Sequence, residues 1–246
     1  MDRIKVSIVT VCRNSEAVIR QTMDSVLQQT YDNIEYIIID GLSEDSTVAI
    51  AESYRTKFEK RGYSFRILSE ADKGIYDAMN KGISLTTGEL VGLINSGDWY
   101  EEQTVEKVVD TYIRTAFDVF YADIRIWRES GAVIKKARLR RYATTRDWNH
   151  PTTFIRRRLY DNYHYACRCV YDDWDLILKI RNDGYKIVVL NEVLANFSFG
   201  GASNQKSLQK MAERMRERYR IYRENGYSRF YIVECIIWEI AKYLIA

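Results

Sequence analysis

The sequence predicts a three-layer α/β domain, with helices covering both faces of a parallel sheet, followed by a basic helical appendage. Three observations carry this reading. Through about residue 125, short apolar runs alternate with amphipathic stretches, a rhythm that implies right-handed βαβ crossovers. The apolar runs give way to polar turns at their ends. Finally, 246 residues with 46% hydrophobic and 29% charged composition suffice for one sizeable core with a small appendage. The expected division is a catalytic-size domain over 1–203 and basic, amphipathic helices over 204–246.

Strands are expected at 4–11, 34–40, 64–69, 90–95 and 119–123, and helices at 17–28, 45–60, 75–84 and 101–114. Ligands of such sheets bind beyond the carboxyl ends of the strands, so 10–14, 40–45 and 95–98 should converge. From 124 to 154 the pattern turns irregular and basic, reading as β-structure and a loop over that face. Residues 172–181 read as a helix, with Trp174, Ile177, Leu178 and Arg181 on one side and Gly184 ending it. Strand-like runs follow at 186–190 and 193–199. A strongly basic helix is expected at 205–225, with Leu208, Met211, Met215, Tyr219 and Tyr222 along one side. The 230–245 run is apolar but carries Glu234, Glu239 and Lys242, which argues against a membrane-spanning helix.

A net charge of +3 is too small a field to point to nucleic acid. Cys12, Cys167, Cys169 and Cys235 include one close pair, a poor zinc site, and read as reduced thiols. Met1 runs directly into an apparent core strand with no basic-then-apolar leader, so a cytoplasmic protein is expected.

The run Asp40-Gly41-Leu42-Ser43-Glu44-Asp45-Ser46-Thr47 follows an apolar strand. A carboxylate there can bind the imide N–H of uracil or a ribose hydroxyl. Asp45 or Ser43 could instead cap a helix while Gly41 makes the turn, and both readings stand. The first turn, Thr10-Val11-Cys12-Arg13-Asn14-Ser15, lacks the glycine triplet of dinucleotide-binding folds, and no GxxxxGK[ST] phosphate loop occurs. Within Asp72 to Gly82, the side chains of Asp77, Asn80 and Lys81 share a helix face, serving either a ligand or a local ion pair. Leu93-Ile94-Asn95-Ser96-Gly97-Asp98 is a buried strand ending in polar residues, where an acid can ligate Mg²⁺ or Mn²⁺ or simply make a turn. His150 precedes Pro151, which favours extended backbone at His150.

Taken together and in order, Val9 to Asn14, Asp40-Gly41-x-Ser43-x-Asp45-x-Thr47, Asp72-x-Gly74 through Gly82 and Leu93-x-Asn95-Ser96-Gly97-Asp98 resemble family 2 glycosyltransferases of the GT-A fold. The likeness is to those of colanic-acid-type exopolysaccharide and O-antigen assembly. His150-Pro151-x-x-Phe154, Asp172-Asp173-Trp174-Asp175-Leu176 and Gly200-Gly201-Ala202-Ser203 extend it to about residue 203.

The resemblance implies an inverting transfer by direct displacement at the anomeric carbon. Asp40 matches the base-recognising aspartate, with Thr10, Val11, Arg13 and Ser43 nearby; Lys73, Gly74, Asp77, Asn80, Lys81, Asn95 and Ser96 complete the implied nucleotide-sugar site. Asp98 matches the metal-binding aspartate, for Mn²⁺ or Mg²⁺, although Asn95 and Gly97 stand where many relatives have acids. Asp173 matches the general base, with Asp172 and Asp175 expected to orient it or meet the acceptor. A solvated acidic helix start is the plainer account of those three. His150 is expected at the diphosphate, metal or acceptor, or as a packed turn residue, and Gly200 to Ser203 as a closing loop or a simple turn.

The implied donor is a nucleoside diphosphate sugar, a UDP-sugar first, with GDP and dTDP sugars open. The implied acceptor is a saccharide on a polyprenyl diphosphate at the inner membrane face. The basic 205–225 helix and its tail suit either an anionic membrane or packing in the protein, and a homodimer stays open. A catalytically silent nucleotide-sugar or carbohydrate binding protein is the rival of a different class.

Overall fold

The computed structural model describes residues 3–198 and 208–245. Its framework begins with β1 (Val6–Cys12), β2 (Ile34–Asp40), β3 (Ser64–Ser69) and β4 (Leu90–Leu93), which pair in parallel in the order β3-β2-β1-β4. The order reverses at β1, the place where a doubly wound sheet opens a crevice. Between these strands run α1 (Ile19–Leu27), α2 (Thr47–Ser53), α3 (Arg55–Lys60) and α4 (Ile75–Ser84). The expected 45–60 helix is therefore two, broken at Tyr54, a buried ring that tilts against Phe58.

Alternate residues of each central strand feed opposite cores, which is why the strands read as nearly unbroken apolar runs. Val6, Ile8, Ile34, Tyr36 and Ile38 meet α1, α2 and α3 on one face. Val9, Val11, Ile37 and Ile39 meet Ala78, Met79 and Ile83 of α4 on the other. Fully burying one such aliphatic side chain is worth about 1.5–3 kcal/mol, so the two cores hold the strand ends in fixed register.

The second half of the sheet is mixed. After β5 (Trp99–Tyr100) and α5 (Thr104–Thr115), β6 (Val119–Arg128) runs past the expected 119–123 and turns into β7 (Gly131–Lys135). The short β8 (Phe154–Arg156) lies antiparallel between β4 and β6. After α6 (Asp172–Asn182), the two expected strands are one, β9 (Ile187–Ser198), parallel to β6 with register shifts on either side of Asp123. At these shifts Asp123 is fully buried, and its carboxylate accepts from Ala137 N at 2.7 Å, Asn191 Nδ2 at 3.3 Å and Lys136 Nζ at 2.7 Å.

His150 opens a short 3-10 turn (His150–Thr152) rather than extended backbone, because Thr153 N donates to its carbonyl at 2.9 Å and Thr152 N to that of Asn149 at 3.3 Å. The appendage comprises α7 (Leu208–Glu224) and α8 (Tyr231–Ile245). Arg214 and Arg218 of α7 are buried, and both reach Glu239 of α8, at 3.0 and 3.4 Å. Two of the basic residues of the 205–225 run are thus spent inside the protein. All four cysteines are free thiols.

Candidate active site

Three polar turns meet at the carboxyl edge of the parallel strands. Asn14, in left-handed backbone, donates its N–H to Ser43 Oγ at 2.8 Å and accepts Glu44 N on Oδ1 at 2.9 Å. Ser15 N donates to Thr47 Oγ1 at 2.7 Å, and Glu16 N to Asp45 Oδ2 at 3.1 Å. Ser15 Oγ and Ser96 Oγ share a hydrogen bond of 2.9 Å, which ties in the turn beyond β4. The convergence of 10–14, 40–45 and 95–98 is therefore built from side-chain bonds between loops.

Asp40, at the end of β2, is fully buried. Its Oδ2 accepts from Ser43 N at 3.0 Å and Ser69 Oγ at 2.7 Å, while Oδ1 accepts the Ser43 hydroxyl and the Cys12 thiol. Those four donors occupy the lone-pair positions a carboxylate offers. Next to it, a Cβ on Gly41 would lie 2.3 Å from Asp72 Oδ2, so a larger residue there would displace that carboxylate. Thr10 is buried and bonded by Tyr36 OH at 3.0 Å, Val11 is buried, and Arg13 is exposed at the mouth.

Asp98 contrasts with Asp40. It too is buried, yet its carboxylate accepts only Ser198 N, at 3.1 Å, among the described residues. Burial pushes its pKa up to about 7. Its turn is held by Thr22, whose hydroxyl donates to Asp98 O at 2.7 Å and accepts Gly97 N at 2.9 Å, with Gly97 at φ 94. In the same turn the side-chain oxygen of Asn95 is buried without a hydrogen-bond partner.

At the start of α4, Asp77 Oδ2 accepts Lys73 N at 3.0 Å and lies 3.5 Å from Lys81 Nζ; these contacts hold its carboxyl below the usual range. Lys81 Nζ also donates to Ala71 O at 2.6 Å and pairs with Glu70 at 2.9 Å. Gly74 N donates to Asp72 Oδ1 at 2.8 Å. Asn80 clamps a distant segment, giving Nδ2 to Tyr165 O at 2.9 Å and taking Tyr165 N on Oδ1 at 3.1 Å. The polar face of α4 thus braces loops, with Lys73 and Gly74 exposed at its entry.

The acidic start of α6 divides its three carboxylates. Asp172, buried, accepts Arg168 N and Cys169 N on Oδ2. Asp175, buried, takes Arg168 Nη2 and Lys179 Nζ, each at 2.8 Å, and Asn225 Nδ2 at 2.7 Å. Asp173 makes no ion pair among the described residues and accepts Trp174 N at 2.7 Å. Desolvation pushes it up to about 6, against the stabilising hydrogen bond from Trp174 N and the more distant charge of Lys135. Tyr76 stacks on Tyr165 at 5.2 Å and donates to Val170 O at 3.0 Å. Trp148 bridges Trp174, at 5.6 Å, to His150, at 5.9 Å. Burial drives His150 down to about 4, so it is neutral at neutral pH.

Two residues that sequence reasoning left without a role, Tyr76 and Lys135, stand around Asp173. Tyr76 lies inside the quoted Asp72 to Gly82 run and its spacing to Asn80 was the available signal; nothing in the basic 124–154 stretch singled out Lys135. Gly200 to Ser203, and the boundary at 203, lie outside the described residues.

Residues 7–170 match the Glycosyl transferase family 2 description. A PGL/p-HBAD biosynthesis glycosyltransferase of Mycobacterium tuberculosis is 30% identical over 210 residues, covering 80% of this chain and 78% of that one. A Bacillus subtilis chain named for a glycosyltransferase, EpsH, is 35% identical over 111 residues; the match covers 45% of this chain and 31% of EpsH. Among solved structures, S. aureus TarS 1-349 in complex with UDP-GlcNAc has a TM-score of 0.70 at 16% identity, over 98% of this chain and 72% of that one. The mannosyltransferase PcManGT from Pyrobaculum calidifontis, in complex with GDP-Man and Mn²⁺, has a TM-score of 0.68 at 14% identity, over 99% and 74%. These likenesses establish the GT-A architecture with C-terminal helices, and with the match over 7–170 they place the chain in glycosyltransferase family 2.

Proposed function

We propose that this chain is an inverting glycosyltransferase that moves a sugar from a nucleoside diphosphate sugar, a UDP-sugar first, to a saccharide carried on a polyprenyl diphosphate in surface polysaccharide assembly. One observation carries the mechanism: of the three aspartates opening α6, Asp173 alone is left without an ion pair among the described residues, half-buried and held near 6. An acceptor hydroxyl is a poor nucleophile at neutral pH and needs such a base. Its oxygen bonds to the anomeric carbon as its proton passes to the Asp173 carboxylate. The bond to the diphosphate oxygen breaks, the electron pair leaves with the nucleoside diphosphate, and the configuration inverts.

Asp98 and Asn95 fit a hard cation, because a buried carboxylate with one donor and an unpartnered buried amide oxygen both call for positive charge. No group of three or more His, Cys, Asp or Glu is placed to hold a metal ion among the described residues, so substrate phosphates would complete the shell of Mn²⁺ or Mg²⁺. Such an ion, when bound, neutralises diphosphate charge. The turn that Asp40 builds, with Arg13 at its mouth, receives the base and ribose; Lys73 and Gly74 lie at the exposed entry of α4. The donor class is supported by neighbours solved with UDP, UDP-GlcNAc and GDP-Man with Mn²⁺. The domain reading, 1–203 catalytic and 204–246 appended, belongs to the same proposal.

Transfer is tested with a panel of nucleotide sugars and saccharide acceptors, with Mn²⁺ or chelator. Metal-dependent release of nucleoside diphosphate coupled to product supports the reading. Thermal stabilisation by a nucleotide sugar without turnover on any acceptor would return the chain to a silent binding protein.

A further inference from the structure

We propose that α8, together with the arginine-rich segment 138–146, is a surface that lies in the interface of an anionic lipid bilayer. The orientation of α8 is pinned by its inner face. Tyr231 is buried and stacks near Tyr222, the Cys235 carbonyl takes Arg218 Nη2 at 2.9 Å, and Glu239 takes Arg214 at 3.0 Å and Tyr171 OH at 3.0 Å. Those contacts recur every four residues, so the opposite side must face outward.

That outward side is apolar. Phe230 is 69% exposed, Val233 52%, Ile237 60% and Ile240 47%. No helix among the described residues is long and apolar enough to cross a membrane, so this face can be covered by a bilayer only by lying in its plane. Trp238 sits at the edge, with the Arg146 guanidinium 5.2 Å from its ring, and the two flank a cleft of about 250 Å³. Rings of this kind place an apolar body and a polar tip at the boundary of lipid and water.

The charge around the face selects the occupant. Arg138, Arg140, Arg141, Arg146 and Arg229 are all exposed, and Tyr142, stacked on Tyr231 at 4.2 Å, docks their segment onto α8. Asp147, 3.6 Å from Arg140, and Glu234 in the cleft offset only part of this charge. A symmetric dimer through the face would set one cationic rim against its copy. An anionic bilayer instead meets the arginines with lipid phosphates and the apolar side chains with acyl chains. The membrane contact expected of the basic 205–225 helix and its tail is thereby narrowed to the tail helix α8 and the 138–146 segment, since Arg214 and Arg218 of α7 are buried. Only the link to a lipid-carried acceptor rests on the proposed function; the membrane contact does not.

The test is flotation of the full chain with phosphatidylcholine vesicles containing or lacking phosphatidylglycerol, for the wild type, Val233→Glu, Ile237→Glu and the pair Arg141→Glu with Arg146→Glu. The wild type should float with anionic vesicles and less so as salt rises. Each apolar-face variant should lose about tenfold or more in the bound fraction, since burying one such side chain is worth at least ~1.5 kcal/mol. The arginine pair should lose binding to anionic vesicles. Unchanged melting temperature and unchanged transfer to a water-soluble acceptor in the same variants separate this surface from the catalytic reading. A wild type that ignores anionic lipid, or floats equally with neutral vesicles, overturns the proposal. So does a dimer in sedimentation that Ile237→Glu splits, because the face then belongs to a second copy.

Discussion

The turn that ends β2 and the turn beyond β4 stand at the same carboxyl edge of the sheet, and they treat their aspartates in opposite ways. Asp40 is surrounded by the Ser43 amide and hydroxyl, the Ser69 hydroxyl and the Cys12 thiol. Asp98 is as deeply buried and receives one backbone N–H. A carboxylate given enough donors can be charged inside a protein, whereas a desolvated one with few donors resists ionisation. The same division recurs over four residues of α6, where Asp172 and Asp175 are saturated and Asp173 is not. The lesson is that saturated acids here build loops, while the unsaturated ones retain the capacity to act on a ligand.

The division breaks most visibly at Asp173. Asp173→Asn keeps size and the bond to Trp174 N but removes basicity, so single-turnover transfer at saturating donor should fall by ~10² to 10⁴ with donor affinity unchanged. The free wild-type enzyme should gain kcat/KM as pH rises through about 6, because the base must lose its proton, and the variant should lack that limb. Asp172→Asn and Asp175→Asn should chiefly lower stability. Near-native transfer by Asp173→Asn beside a dead neighbour would assign the base to the wrong aspartate.

Asp98 gives the next largest effect, with opposite signs for stability and binding. Its carboxyl lies near 7 in the folded chain, against an ordinary value of 3.8. Between those values the folded chain holds a proton that the unfolded chain releases, so this group makes stability fall as pH rises. Above pH 7 the whole penalty is present. Asp98→Asn should therefore stabilise the ligand-free protein at pH 8, by up to about 4 kcal/mol, and hardly at pH 4. The same variant should bind a UDP-sugar more weakly in Mn²⁺ yet equally in chelator. Melting curves at both pH values and donor titrations check the two halves. A destabilised variant at pH 8 would mean that Asp98 is satisfied in the free protein.

These contrasts were only partly legible in the sequence. The strands β1 to β4 and the helix α4 were readable because period and apolar content are local, and both faces of the sheet are buried. The strands β5 and β8, of two and three residues, are too short to carry a period, and their places depend on β9, β4 and β6. Asp40 could be read as a strand-end acid, but its saturation depends on Ser69, 29 residues away. The three acids of α6 look alike in sequence; Asn225, 50 residues on, helps to set Asp175 apart from Asp173. Arg214 and Arg218 looked like a solvated basic face because nothing local announces Glu239.

At Asp40 the comparison predicts a structural effect first. Asp40→Ala leaves Ser43 N and the Ser69 hydroxyl without their acceptor, and should cost about 1–3 kcal/mol in the ligand-free protein. Affinity for UDP and free uridine should fall together, because the turn shaped for the base is lost. Stability equal to wild type with uridine binding abolished would show that the carboxylate itself meets the base.

The smallest expected effect lies at the bond joining the two kinds of turn. Ser96, beside Asn95 and Asp98, shares its hydroxyl hydrogen bond with Ser15, whose own N–H is held by Thr47 in the turn that Asp40 begins. Ser96 is half-buried, so water can replace part of what is lost on truncation. Ser96→Ala should therefore cost only ~0.5–1.5 kcal/mol of stability. Its value is in the coupling. The saturated turn is proposed to receive the base and the unsaturated one the diphosphate, so a loosened tether should weaken UDP binding more than uridine binding, about twofold to tenfold. A double-mutant cycle with Ser15→Ala measures the tether directly: contacting pairs couple by about 0.5 kcal/mol or more, whereas independent sites add within ~0.3–0.5 kcal/mol. Additive losses would mean that the two turns bind their parts of the donor separately, each held by its own strand.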